Sequence, residues 1–374
     1  MIPIAEPDLG PLERAYLLDA FDSGWISSRG DYIERAERLL EKITTVSHVA
    51  LCNNGTTALH LAMVAVGVGE GDEVIIPSLT YISTLNAVYY VNALPVVVDV
   101  LDTTWCIDPT MVEAAITPRT KAILAVDLYG QTADYVALRE IANRYGIALV
   151  ADAAESIGAT LHGVPAGALA DVSTFSFFGN KVITSGEGGA VTTSSPEIHA
   201  KILQLRNQGN HPVKRYFHDV IGYNYRMTNL SAAILTAQLE RLNSLITARK
   251  RVVDEYHRIF AMDGLVLEQA TLEGATPTPW MYSVRLPGYS TDDRDAVIQA
   301  LADAGVDSRP VFPLVQDMPF VPMSQRVSTP VAARISREGI SLPTYPTLED
   351  SQIQYVASAF SQALTSRTIT ASAS

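Results

Sequence analysis

The sequence predicts an α/β protein in which a large, mostly parallel sheet is followed by a smaller α+β region. Three observations lead there. From Val46 onward, short β-branched runs alternate with helix-length segments. The runs are apolar throughout rather than at every second residue, which implies strands covered on both faces by helices. Beyond about residue 240 the alternation gives way to a long helical segment rich in Ala, Leu, Ile and Arg.

The elements follow in order. His48–Cys52 reads as a strand feeding a helix over Thr56–Val66. Glu73–Ile76 precedes a helix over Thr80–Val91, and Leu94–Val98 precedes one over Pro109–Ile116. Asp108 is the expected N-cap of the latter, with Pro109 in the first helical position, where a missing N–H does no harm. Ala122–Val126, a helix over Tyr135–Tyr145 and Ala148–Ala151 form the next unit, and Val172–Phe175 and Ala190–Thr193 read as further strands. Asn229–Phe260 reads as a single helical segment, followed by the run Met281–Leu286, a helix over Asp292–Ala304 and a Pro-rich loop over Arg309–Pro322. The division is placed at 1–240, N-terminal segment included, and 241–374. The small polar tail Thr365–Ser374 is expected to fray.

Composition narrows the function. The 374 residues are 48% hydrophobic and 18% charged, which excludes a disordered or low-complexity chain. With 27 Lys+Arg against 40 Asp+Glu the net charge is −13, a poor match to a nucleic-acid backbone. Cys52 and Cys106 are too few for a disulfide framework or a four-ligand zinc site. His211 and His218 lack a third ligand and read as a solvated loop, so no metal is expected. No apolar leader follows Met1, and the most apolar stretch, Ala87 to Val100, is broken by Asn92, Pro95 and Asp99. A cytoplasmic protein with no membrane partner is expected.

Three motifs carry chemistry. Asn53-Asn54-Gly55-Thr56-Thr57 lies between a strand and a helix, where free N–H groups and hydroxyls make an anion site and Gly55 allows close backbone approach. The segment is not a P-loop, because no lysine follows at the required spacing. Asp152, in Ala151-Asp152-Ala153-Ala154-Glu155, falls at the C-terminal end of a buried strand, the edge where open α/β sheets hold ligands. Such a carboxylate needs a cationic or hydrogen-bonding partner, and a pyridinium nitrogen would serve. Lys181 follows the aromatic run Phe175-Ser176-Phe177-Phe178-Gly179-Asn180 and precedes a Gly-rich loop, a setting that suits a Schiff-base lysine. Singly these read as an ordinary turn, a capping carboxylate and a surface charge. Together they describe pyridoxal 5'-phosphate (PLP), with the phosphate on the helix N-terminus, Asp152 on the ring nitrogen and Lys181 on the aldehyde carbon.

Longer stretches strengthen this reading: Trp25-Ile26-Ser27-Ser28, Cys52 through Leu61, Pro77-Ser78-Leu79-Thr80-Tyr81-Ile82, Leu128-Tyr129-Gly130-Gln131, Gly222 through Asn229, and Ser308-Arg309-Pro310-Val311-Phe312. In these the chain resembles the DegT/DnrJ/EryC1/StrS sugar aminotransferases over most of residues 1–350. The resemblance implies the aspartate-aminotransferase-like fold type I, with a seven-stranded-type sheet. It also implies roles for residues. Gly55, Thr56 and Ser176 would bind the cofactor phosphate, with Asn224 reaching it from the neighbouring subunit of a homodimer with shared sites. Tyr81 and Ala154 would flank the ring and Glu155 would lie near its hydroxyl. Arg226, Arg309 and Phe312 would serve the substrate.

Related 3-dehydratases carry histidine where this chain has Lys181, so the resemblance implies transamination, with pyridoxamine phosphate as the intermediate form. The implied donor is L-glutamate. The implied acceptor is a keto sugar nucleotide, GDP-4-keto-6-deoxy-D-mannose at C4. Family members acting on GDP sugars continue with a His-containing segment where this chain has Pro313-Leu314-Val315-Gln316. The alternatives are a 3-keto sugar, a dTDP- or UDP-4-keto sugar or a keto-cyclitol as acceptor, and, in a different class, a PLP-binding regulator without catalysis.

Overall fold

The central strands carry their burial on both sides, and the alternation decides which core each residue joins. The structure, a computed structural model, describes residues 1–260 and 266–371. Seven strands form the main sheet: β1 (His48–Cys52), β2 (Glu73–Pro77), β3 (Leu94–Val98), β4 (Thr120–Val126), β5 (Ala148–Asp152), β6 (Val172–Ser176) and β7 (Gly189–Thr193). Their order is β1-β7-β6-β5-β4-β2-β3. β7 runs antiparallel to both neighbours, and the pairs β6-β5, β5-β4, β4-β2 and β2-β3 are parallel. Val49, Leu51, Ile75, Ile123 and Ala125 enter one apolar cluster, while Ala50, Cys52, Val74, Ile76, Ala122 and Leu124 enter another. Successive strand residues point to opposite faces, so unbroken apolar runs are what a doubly covered sheet requires.

The second region builds an antiparallel sheet from β8 (Leu267–Glu268), β9 (Tyr282–Arg285), β10 (Arg309–Pro310) and β11 (Gly339–Leu342), in the order β8-β9-β11-β10. It has its own apolar cluster, including Val252, Tyr256, Val284, Ile340 and Phe360. The first residues of the chain attach here: Ile2 bridges to Val306, and Thr344 N–H donates to the Ile4 carbonyl at 3.0 Å. Among the described residues no helix is long and apolar enough to cross a membrane.

Several elements differ from the sequence reading. The segment from Asn229 to Phe260 is two helices, Asn229–Glu240 and Leu242–Phe260. Arg241 leaves helical geometry between them (φ −98°, ψ 1°), and its guanidinium binds Asp8 (2.6 Å) and Glu13 (2.7 Å) near the N-terminus. Helices Pro11–Asp22 and Asp31–Thr44 were not anticipated, although Tyr32, Ala36, Leu40 and Thr44 of the second are buried at four-residue spacing. The last helix, Asp350–Ala371, continues into the segment expected to fray, and residues 372–374 lie outside the described residues. Asp108 caps Pro109–Ala114 as expected, accepting from Thr110 N–H at 2.8 Å.

Polar side chains tie the two regions together. Arg285 on β9 is buried and pairs with Glu338 (2.8 Å) and with Asp102 of the loop after β3 (2.6 Å). Asp99, just past β3, accepts from Val331 N–H (3.0 Å) and Ala332 N–H (2.8 Å) at the start of helix Pro330–Glu338, whose own cap residue Thr329 makes no side-chain cap bond. A remote carboxylate therefore does the work of an N-cap. Asp99→Ala is expected to lower stability by about 1–2 kcal/mol, with Asp99→Asn recovering part of it, measured by urea unfolding.

Candidate active site

β1, β4, β5 and β6 all end at one edge of the sheet, and the cavity sits there. It encloses about 450 Å³ and receives residues from both regions. After β1 the chain turns directly into helix Gly55–Ala65. Asn54 is its N-cap, accepting from Thr57 N–H at 2.8 Å, which leaves the N–H groups of Gly55 and Thr56 without intrahelical acceptors at the cavity wall. Thr56 and Ser83 hydroxyls lie 2.8 Å apart beside them. A Cβ on Gly55 would come within 2.8 Å of the Ser176 Cβ, so only glycine permits this approach of helix and strand end.

Asp152 closes β5 and is 5% exposed. Burial raises its pKa, opposed by the Thr84 hydroxyl (2.9 Å to Oδ2), the charge of Lys181 and the Ala154 N–H (3.3 Å to Oδ1). Thr84 is itself bonded to Thr80 (2.9 Å), so the start of helix Ile82–Tyr90 supports the carboxylate. Glu155 is equally buried, with Oε2 accepting from Tyr129 N–H at 2.7 Å. Oε1 stands 3.6 Å from the Lys181 Nζ, which lies 4.0 Å over the Trp280 ring centre. Burial lifts the Glu155 carboxyl to about 7, opposed chiefly by Lys181. An amine between a carboxyl and an indole face, opposite a second buried carboxylate, is arranged to hold and pass protons.

Aromatic side chains build the far wall. Tyr129, at a left-handed φ of 54°, stacks on Trp280 (5.8 Å between centres) and Phe312 (5.4 Å). Phe312 also meets Tyr81, at 5.7 Å. Arg309 reaches the rim, its side chain 55% exposed, with Asp307 at 3.9 Å.

Gly55, Thr56, Tyr81, Asp152, Ala154, Glu155, Ser176, Lys181, Arg309 and Phe312 thus converge on one cavity. Asn224 and Arg226 do not line it. Arg226 bridges by its main chain to Cys52, and its buried Nε has no hydrogen-bond partner. Asn224 is exposed two residues away.

Sequence reasoning gave no site role to Ser83, Tyr129, Asn180, Trp280 and Ser341 in the lining, or to Thr84 behind Asp152, whereas Asn54 of the anion motif does line it. The four-residue spacing of Thr80 and Thr84 was a readable signal. Trp280 is the surface on which the lysine rests, and no local pattern marks it. His211 and His218 organise their own loop: His211 Nδ1 accepts from Val213 and Lys214 N–H, and His218 Nδ1 lies 2.8 Å from the Gln208 carbonyl. Pro313-Leu314-Val315-Gln316 turns away from the cavity, with Val315 N–H bonded to the Ser78 carbonyl (3.0 Å) and Val315 buried in the sheet's second cluster.

Residues 7–361 match the DegT/DnrJ/EryC1/StrS aminotransferase family, and the chain belongs to it. It is 45% identical over 365 residues to GDP-perosamine synthase of Caulobacter vibrioides, covering 97% of this chain and 98% of that one. It is 41% identical over 358 residues to GDP-perosamine synthase of Vibrio cholerae, covering 95% and 97%. Among solved structures, 3-amino-5-hydroxybenzoic acid synthase superposes with a TM-score of 0.91 at 31% identity, covering 98% and 99%. A Streptococcus pneumoniae protein described as a sugar aminotransferase, solved in PLP and PMP forms, superposes with TM-scores of 0.91 and 0.93 at 29% identity. Coverage is 98% of this chain and 99% of that one for the PLP form, and 100% of both for the PMP form. The architecture is fold type I.

The raised carboxyls set a pH dependence. Glu155 goes from 4.5 to about 7 and Asp127 from 3.8 to about 6 on folding, both through burial. The folded chain therefore binds more protons, and the stability these groups contribute is full below about pH 4 and lost as pH rises through about 7. Glu155→Gln is expected to lose less stability than the parent protein between about pH 5 and about pH 8. Urea midpoints of the cofactor-free proteins measure this, and equal losses would mean that Glu155 is ionised throughout.

Proposed function

We propose that the chain is a PLP-dependent aminotransferase that moves an amino group from L-glutamate to GDP-4-keto-6-deoxy-D-mannose at C4. One observation carries the chemistry: the Lys181 amine, the buried Asp152 carboxylate and the unpaired N-terminus of helix Gly55–Ala65 open on the same cavity. Those groups fit PLP, because the bare backbone at Gly55 with the Thr56, Ser83 and Ser176 hydroxyls suits a phosphate. The buried Asp152, whose burial outweighs its hydrogen bonds and the charge of Lys181, suits a protonated ring nitrogen. The identity to two GDP-perosamine synthases supports the GDP sugar as acceptor.

When bound, the cofactor supplies an electron sink that makes the Cα–H of an amino acid acidic. Asp152 would hold the proton on the ring nitrogen. Lys181 would anchor the cofactor, and its free amine would be the group that carries the proton away from the donor Cα. Tyr81 and Ala154 would bound the two faces of the ring, and Glu155 would lie near its hydroxyl. The aromatic wall of Tyr129, Trp280 and Phe312 excludes water, and Arg309 at the rim would take an anionic part of the substrate, whereas Arg226 lies outside the cavity and is given no such role. Lys181→Ala is expected to abolish turnover while still binding pyridoxamine phosphate. In the parent protein, visible absorbance gained with PLP should be lost on adding L-glutamate. Full activity of the variant, or no visible band at all, overturns the assignment.

The working unit in this reading is a homodimer in which Asn224 completes the partner's phosphate site. Val213, Tyr216 and Ile221, in the segment that leads to Asn224, are 86%, 85% and 88% exposed. Ile221→Asp is expected to shift the protein toward monomer in sedimentation and to weaken PLP retention at least about tenfold.

A further inference from the structure

Helix Leu242–Phe260 buries one stripe made of Leu242, Leu245, Arg249, Val252, Tyr256 and Phe260. Arg249 is out of place in it. Its side chain is 2% exposed, and its guanidinium donates to three main-chain carbonyls rather than to a carboxylate. Nη1 reaches those of Trp280 (2.9 Å) and Thr344 (2.7 Å), and Nη2 reaches that of Lys181 (3.1 Å). Its Nε is buried without a partner, and burial pulls its pKa down to about 10. A buried cation with neutral partners and one idle donor is a poor source of stability, and a leucine or methionine would suit the stripe better.

What the guanidinium joins explains its presence. Lys181 belongs to the segment after β6, Trp280 leads into β9, and Thr344 follows β11. The Lys181 ammonium lies on the Trp280 ring, and the indole Nε1 donates to the carbonyl of Asn180 at 2.8 Å. We propose that Arg249 is a positioning residue that sets where the Lys181 amine stands, by fixing the main chain of Lys181 and Trp280 to one rigid planar group. The guanidinium offers donors in a fixed fork, so both segments are held at one separation and orientation, which a flexible ammonium cannot do. Without it, three buried carbonyls lose a donor and the lysine and indole segments part. The inference deepens the proposed reading of the site, resting on Lys181 as its reactive amine.

The test starts with the cofactor-free protein. Acylation of Lys181 by acetic anhydride is followed by mass spectrometry against exposed Lys42, Lys121 and Lys250. Arg249→Met is expected to speed labelling of Lys181 severalfold, because the amine leaves the indole and the carboxyl. Buried Cys52 and Cys106 should stay closed to a thiol reagent. The variant should also attach PLP at Lys181, trapped with borohydride, at least about tenfold more slowly, within the roughly hundredfold loss that a misplacement of ~1 Å can cause. Pyridoxamine phosphate affinity measured on a Lys181→Ala background should not respond to Arg249→Met. If Arg249→Met does not fold, Arg249→Lys is measured instead, with smaller changes of the same sign expected. Unchanged acylation of Lys181 in a folded variant overturns the role of Arg249. So does exposure of Cys52 and Cys106 together with Lys181, which would make the arginine a general support. Failure of the unsubstituted protein to attach PLP at Lys181 would instead sink the cofactor reading, and the acylation result would still decide the inference.

Discussion

Asp152 is a carboxylate buried at the end of a central strand with no arginine beside it, and much of the cavity is arranged around that fact. Desolvation pushes the group toward its neutral form, while Thr84, the Ala154 N–H and the charge of Lys181 resist. The sheet places it there because β5 lies between β4 and β6, with its last residue at the edge where the parallel strands end. A carboxylate so placed is costly in a protein that binds nothing. It becomes useful when a ligand brings a proton on nitrogen, which is the role proposed for it.

The second region supplies what the first cannot, a wall and a clamp. Trp280 and Phe312 stack on the Tyr129 ring and so join the cavity to β9 and β10. Behind them the two sheets share an apolar cluster that takes in Met281, Val311 and Ile335 together with Ile75, Val98 and Leu128, and polar side chains hold the two in register. Asp99 caps a helix from across the boundary, Arg285 pairs with carboxylates of both regions, and Arg249 binds three carbonyls at once. Such contacts have fixed directions, so they specify a geometry as well as an attraction. That suits a site whose lysine and carboxylates come from one region and whose aromatic wall comes partly from the other.

The segment Pro313-Leu314-Val315-Gln316 shows how a departure in sequence can lie outside the cavity. Leu314 bridges to Leu79, Val315 is buried against the first sheet, and the Gln316 amide donates to Thr329 at 2.8 Å. None of the four lines the cavity, whereas Phe312, immediately before them, does.

What the sequence determined by itself was whatever depends on local periodicity and short spacing. Unbroken apolar runs specify doubly covered strands, and Asp108-Pro109 marks a helix start. The order strand, Asn-Asn-Gly-Thr-Thr, helix places an anion site, and Asp152 and Lys181 stand out by setting. Only the tertiary structure decided the rest. The break at Arg241 depends on Asp8 and Glu13 more than two hundred residues away. Trp280 meets Lys181 because two segments remote in sequence are brought face to face, and Arg249 looks like any cation of an amphipathic helix until its carbonyl partners are in place. The physical reason is common to all three. Local patterns report which face of an element is dry, whereas the partners of a buried polar group are chosen by packing between elements, and no short window of sequence contains both sides of that contact.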